Sequence, residues 1–335
     1  MSARWLWNRA GVLACLTACL LLSRVALRAQ DETEVHIRPR AAEVPAKAVN
    51  PALDTHTPML KSDVDLVLVP VTVTDPDDRL VTGLEKRNFE VEEDKRPQPI
   101  QNLSSDDAPV SLGVLLDISG SMKDKLDRAK EAVVEFLRAG NPQDEFFVIT
   151  FSDRPELISD FTSHTGDIRS KLAFVQANGM TSLLDAVYLG LNEMKHAQYQ
   201  RKALLIISDG GDNHSRYTES EIRSVVREAD VQIFGIGLFD AAPPTQEERF
   251  GPQLLSDITN DTGGRTFTID NPNQLPDVAT KIGIALRNEY VIAYRSAAKP
   301  HDGKWHKIRV KLHPPKGLPP LHVQAKKGYY AAAMR

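Results

Sequence analysis

The chain has 335 residues, 41% of them apolar and 26% charged, and carries a formal net charge of −4. That length accommodates a large folded unit and a smaller one with a substantial core, while the mild acidity argues against a nucleic-acid partner, since affinity for phosphate backbones needs clustered Lys and Arg. Both cysteines, Cys15 and Cys19, lie near the start, so a chain trimmed beyond them has no disulfide, zinc-thiolate site or cysteine nucleophile.

Residues 1–29 have the layout of a secretory signal: Arg4 and Arg9, an apolar run from Ala10 to Leu22, and a small residue at Ala29. The run is short of the roughly 20 apolar residues of a membrane span. Cleavage near Ala29 removes four arginines and takes the formal charge to −8, 37 basic against 45 acidic residues. Leu16-Thr17-Ala18-Cys19 resembles a bacterial lipobox, so a lipid on Cys19 and an uncleaved anchor stand as alternatives. Each predicts an exported protein, whether secreted, periplasmic or held at the cell surface.

Residues 30–61 are polar, contain Pro39, Pro45, Pro51 and Pro58, and show no apolar period, as in a disordered linker. A β segment follows over 62–106. "VDLVLVPVTVTD" alternates, with Val67, Val69, Val71 and Val73 on one face, and Pro70 predicts a sheet-edge position. A turn at Pro76-Asp77-Asp78 leads to a short strand at 79–81, and "NFEVEEDKRPQPIQNL" is again strand-like.

From residue 107 to 287 apolar strands alternate with helices. The strands are "SLGVLLDI", "DEFFVITF", "PELISDF", "KALLIISD", "VQIFGIGL" and 265–269; the helices are expected at 123–138, 166–176, 182–195, 218–229, 252–262 and 273–287. Continuous apolar strands separated by helices imply a mostly parallel sheet covered on both faces, a doubly wound α/β fold. Residues 288–335 return to β pattern in "EYVIAYR", "WHKIRVKLH" and "LHVQAKKGYY". Small β segments therefore flank the α/β unit on both sides, and the two are expected to pack together as a sandwich.

"LLDISGSM" ends a buried strand in Asp117, Ser119 and Ser121 at alternate positions. Desolvated oxygens are costly without a partner. Asp209 ends "KALLIISD", and in open α/β sheets ligands sit beyond the carboxyl ends of the strands, where strand order reverses. An all-oxygen set of this kind suits a hard divalent cation. Alone, either serine reads as a helix N-cap and "SDG" as a turn. Asp185 lies in a helix first turn, where a carboxylate is favoured without any ligand; Asp212 reads as a supporting acceptor or a solvated loop residue. His214 reads as a loop residue, and His301, His306, His313 and His322 as surface residues of the C-terminal β segment.

Asp117-x-Ser119-x-Ser121, "GMTSLLDAV" with Thr181, and "IISDGGDN" with Asp209 resemble the three segments of the metal-ion-dependent adhesion site of von Willebrand factor type A domains. The flanking "VTVTD", "NFEVEED" and "KKGYY" are similar to exported bacterial VWFA-related proteins of acidobacterial type. The resemblance implies that Ser119 and Ser121 ligate the cation directly. Asp117, Thr181 and Asp209 complete the shell, directly or through water, and a partner's Asp or Glu supplies the last oxygen. The implied cation is Mg²⁺, with Mn²⁺ and Ca²⁺ as alternatives. The implied function is cation-dependent protein binding and not catalysis, with no nucleic-acid partner and membrane attachment only through the anchor or the lipid on Cys19. Two other functions compete. A Mg²⁺-dependent hydrolase lacks its second acid, because Ser119 stands where a D-x-D pair has one, and no G-x-S-x-G elbow or Walker loop is present. The other is a scaffold whose metal serves folding alone.

Overall fold

The computed structural model describes residues 66–209, 211–239, 246–297 and 302–331. The signal segment, Cys19, the proline-rich linker and His301 fall outside them. Strands β1 (Leu66–Thr74), β2 (Phe89–Glu93), β3 (Arg96–Gln98) and β4 (Ile100–Ser104) come first. An alternating series follows: β5 (Ser111–Asp117), α1 (Leu126–Ala139), β6 (Glu145–Phe151), β7 (Pro155–Thr162), α2 (Thr165–Leu172), α3 (Leu183–Glu193), β8 (Lys202–Ser208), α4 (Glu219–Glu228), β9 (Gln232–Leu238), α5 (Gln246–Thr259), β10 (Thr266–Ile269) and α6 (Leu275–Arg287). Then come β11 (Tyr290–Arg295), β12 (Trp305–Leu312), β13 (His322–Ala325) and β14 (Gly328–Tyr330).

The series forms a six-stranded sheet in the order β10-β9-β8-β5-β6-β7. All its pairings are parallel except that of β7 with β6. Every residue of β5 is buried, as a central strand covered on both faces requires. Leu112, Val114 and Leu116 pack with apolar residues of α1, α2 and α6, while Leu115 packs with α3, α4 and α5 on the opposite face. Alpha1 buries Leu126, Ala129, Ala132, Val133, Phe136 and Leu137, the three-and-four spacing that turns one helical stripe toward a sheet. Alpha4 starts at a capping box: Thr218 Oγ1 accepts the Glu221 amide and the Glu221 carboxylate accepts the Thr218 amide.

Strands from both flanks share two four-stranded sheets, β13-β1-β11-β4 and β14-β12-β2-β3. Val69, Val71, Val73, Phe89, Val91, Tyr290, Ile292, Tyr294 and Ile308 fill a common core. Pro70 departs from the edge expectation, because β1 has a neighbour on each side. It is tolerated because β13 pairs only with Val71–Thr74, so at Pro70 the single partner is β11, opposite Val291. The expected strand at 79–81 reduces to one bridge, Leu80 with Thr74. Glu289 joins the sandwich to the parallel sheet. It is 1% exposed, and its Oε1 accepts Gln232 Nε2 at 2.8 Å and Thr72 Oγ1 at 3.2 Å, with Arg201 Nη2 3.5 Å from Oε2. Burial pushes its carboxyl above the usual range, against the pull of these donors. Where the chain enters and leaves the α/β unit, Arg287 forms an ion pair with Asp107.

His306 also departs from the surface expectation. It is 6% exposed, with Nδ1 2.8 Å from Asp94 and Nε2 3.1 Å from Asp302. The alternation of β12 turns it inward, and both carboxylates come from turns that sequence spacing does not bring together. Burial opposes protonation of the ring, but the two carboxylates outweigh it and hold the pKa above the usual 6.5.

Two predictions follow from these buried groups. Glu289→Ala leaves Gln232 and Thr72 without their acceptor, removes the carboxylate beside Arg201, and lowers stability by about 3 kcal/mol, measured as a shift in urea midpoint at constant slope; an unchanged midpoint would remove Glu289 from the junction. His306 contributes stability fully below pH 6.5, and that contribution disappears as pH rises through its elevated folded-state pKa. The stability gap between wild type and His306→Gln therefore narrows with rising pH above 6.5, and a gap that widens instead contradicts the pairing.

Candidate metal centre

Beta5 and β8 lie side by side and parallel, with Leu116 opposite Ile207. From β5 the chain proceeds to β6 on one side, and from β8 to β9 on the other. Strand order therefore reverses between β5 and β8, and the carboxyl edge there is where ligands collect in this architecture. Asp117 is the last residue of β5, and Asp209 follows the last residue of β8. Both carboxylates lie on that edge and are buried, at 0% and 4% exposure.

Asp117 is held from two directions. Its Oδ1 accepts the Ser119 amide at 2.9 Å, and its Oδ2 accepts Ser208 Oγ at 2.6 Å. Ser119 precedes a short 3₁₀ turn (120–122), yet its hydroxyl caps no backbone amide there. Instead Ser119 Oγ lies 3.0 Å from Ser121 Oγ. Ser119 is buried and Ser121 exposed, so the hydroxyl pair leads from the carboxylates toward solvent.

Thr181 sits on a second loop laced to the first by backbone hydrogen bonds. The Asn178 amide donates to Ile118 O at 2.9 Å, and the Gly120 amide to Gly179 O at 3.0 Å. Gly179 has φ of +78°, a conformation that glycine adopts without steric cost. The third loop closes onto Thr181. Asn213 and His214 amides donate to Thr181 O at 3.1 and 3.0 Å, and the Thr181 amide donates to Asn213 Oδ1 at 3.0 Å. Thr181 is 5% exposed.

The two weaker aspartates have structural roles in these loops. Asp212 Oδ2 accepts the Leu184 amide at 2.8 Å, capping the first turn of α3, and also Ser215 Oγ at 2.6 Å. Asp185 Oδ1 accepts the Arg216 and Tyr217 amides at 2.8 and 3.2 Å. His214 is exposed, as a loop residue should be. Three residues escaped the sequence reading. Ser208 was hidden as the last residue of an apolar strand, although it directly precedes Asp209. Asn213 was indistinguishable from other polar loop residues. Lys125 lies in the "KDK" that follows the serines, and its Nζ is 3.7 Å from Asp209 Oδ2.

The electrostatics favour a cation. Burial raises the Asp117 carboxyl to about 7, the neighbouring Asp209 charge adds to the rise, and the donors Ser208 and Ser119 oppose it. Asp209 Oδ2 is buried and accepts no hydrogen bond among the described residues. A buried carboxylate oxygen without a donor is costly, and a positive ion is the partner that relieves both it and the repulsion between the two carboxylates. Two carboxylates with three hydroxyls form an all-oxygen donor set of the kind hard divalent ions prefer. Elsewhere, Glu93, Asp94 and His306 have ligand atoms within 4.8 Å of one another. These atoms are already engaged: Glu93 accepts the Tyr294 and Tyr329 hydroxyls at 2.7 and 3.2 Å, and His306 is bonded at both nitrogens.

Residues 112–211 match the pattern of the von Willebrand factor type A domain. An uncharacterized protein of Borreliella burgdorferi is 21% identical over 188 residues, covering 49% of this chain and 55% of the relative. Inter-alpha-trypsin inhibitor heavy chain H4 of Homo sapiens is 26% identical over 211 residues, covering 57% of this chain and 22% of the relative. The chain thus spans about half, or about a fifth, of the length of these curated relatives. The solved structure of a von Willebrand factor type A protein from Catenulispora acidiphila aligns with a TM-score of 0.48 at 12% identity, covering 80% of this chain and 75% of that one. The matched stretch covers the strands and loops that carry the carboxylate pair, so this part of the chain has the pattern of a von Willebrand factor type A domain.

Proposed function

We propose that Asp117, Ser119, Ser121, Thr181 and Asp209 hold a divalent cation, Mg²⁺ in the first instance, in a metal-ion-dependent adhesion site. An Asp or Glu of a protein partner completes its coordination. The observation that carries this reading is the buried Asp209 Oδ2 without a hydrogen-bond donor, beside a fully buried Asp117 and a pair of seryl hydroxyls that open to solvent. Two carboxylates and three neutral hydroxyls leave a divalent ion under-neutralised, so the ion attracts an external anion. Domains of this family commonly mediate protein–protein interaction, which agrees with an open, acid-accepting site.

A hydrolytic reading has less support. Asp117 stands where a carboxylate nucleophile would, but both its oxygens accept hydrogen bonds and it has no exposed surface. Attack on a substrate requires a group that can reach it. The signal-like residues 1–29 support a location outside the cytoplasm, and no helix among the described residues is long and apolar enough to cross a membrane.

In a thermal melt of the full chain, Mg²⁺ or Mn²⁺ at about one hundred times its dissociation constant should stabilise the wild type by about 2.7 kcal/mol. Asp117→Ala should abolish that shift while remaining folded, and an undiminished shift would displace the ligands assigned here. Against a displayed peptide library, the wild type should retain Asp- or Glu-containing peptides in Mg²⁺ and release them into chelator. A cation shift without any such retention would favour the scaffold role over adhesion.

A further inference from the structure

Lys125 lies at the turn between the serine-bearing loop and α1. Its amide donates to Met122 O at 2.9 Å and its carbonyl accepts the Ala129 amide at 3.0 Å, so its backbone is fixed from both sides. The side chain is only 14% exposed, which is uncommon for a lysine unless its charge is paired. Its Nζ is 3.7 Å from Asp209 Oδ2, the oxygen that accepts no hydrogen bond among the described residues. The separation is inside ion-pair range and outside hydrogen-bond range. The ammonium field reaches the oxygen, while its lone pairs remain available to another acid.

We propose that the Lys125 ammonium is the built-in counter-ion of the cation site: it neutralises Asp209 in the metal-free protein and opposes the divalent cation when that ion takes the same carboxylate. The inference rests on the assignment of Asp117, Ser119, Ser121, Thr181 and Asp209 as the cation site. Two buried carboxylates this close repel each other, and one adjacent positive charge lets the loops keep their geometry without metal. A divalent ion accepted by Asp209 then meets a like charge already in place. In a partly buried site the effective dielectric is well below that of water, so a charge at this range changes affinity measurably. The consequence is a site folded for its cation in advance but tuned to moderate affinity, so that occupancy follows the free cation concentration.

The test compares full-length wild type, Lys125→Met, Lys125→Arg and Asp117→Ala by calorimetric titration with MgCl₂ and MnCl₂ at constant ionic strength. Lys125→Met keeps a stem of similar length without the charge and should bind either cation about tenfold tighter, with a lower melting temperature in chelator. Lys125→Arg keeps the charge and should stay within about twofold of wild type. Equal or weaker binding by Lys125→Met overturns the counter-ion role. A second measurement covers the case in which Lys125→Met does not fold: the ¹³Cε resonance of Lys125 in the wild type should move on Mg²⁺ addition and stay fixed in Asp117→Ala, and no movement in the wild type overturns the role. If Asp117→Ala binds cation as the wild type does, the site assignment itself fails, whatever the lysine variants show.

Discussion

The adjacency of β5 and β8 places two carboxylates, Asp117 and Asp209, on one buried rim of the sheet. Apolar strand interiors drive that arrangement, since Leu112 to Leu116 and Ala203 to Ile207 are buried on both faces and leave Asp117, the last residue of β5, and Asp209, the residue after β8, at the edge. The cost is desolvation, with like-charge repulsion added to it, visible as the rise of the Asp117 carboxyl to about 7. The surrounding loops are organised around that cost. Ser208 and the Ser119 amide donate to Asp117, Lys125 faces Asp209, and the hydroxyls of Ser119 and Ser121 stand toward solvent.

The polar residues of these loops divide into two groups. Asp212, Asp185 and Asn213 accept backbone amides of Leu184, Arg216, Tyr217 and Thr181. Asp153 does the same for Met180. They hold three chain segments in register through directional bonds to backbone, which suits loops that cannot rely on sheet or helix ladders. Ser119, Ser121 and Asp209 instead direct side-chain oxygens away from backbone partners. A site whose framework is fixed by one set of residues can present the other set without reorganising it.

The α/β unit was legible because its signals are local. An apolar run ending in Asp117 and another ending in Asp209 declare buried strands with polar ends, and the stripe of α1 declares its helix within 14 residues. Of the three motif segments, each ambiguous alone, the first and third lie at strand ends and the second places Thr181 in the loop between α2 and α3. What stayed hidden depends on partners remote in sequence. His306 reads as an exposed residue until Asp94, 212 positions away, is seen beside it. Glu289 meets Thr72 across 217 positions. Pro70 signals an edge correctly only at its own rung, since β13 stops one residue short of it. Lys125 was passed over because a lysine beside a helix start usually lies in water, whereas this one is largely buried beside a buried carboxylate.

The sandwich draws strands from both ends of the α/β unit, and β4 and β11, which lead into and out of it, are paired antiparallel with Ser104 opposite Val291. Arg287 and Asp107 bind the two crossings to each other just inside that pair. Tension applied at the rim where the strands end therefore leaves the unit through two polypeptide crossings in parallel. Neither crossing can be drawn away without breaking rungs of the β4–β11 ladder, so the unit hangs from a double cord and not from a single tether.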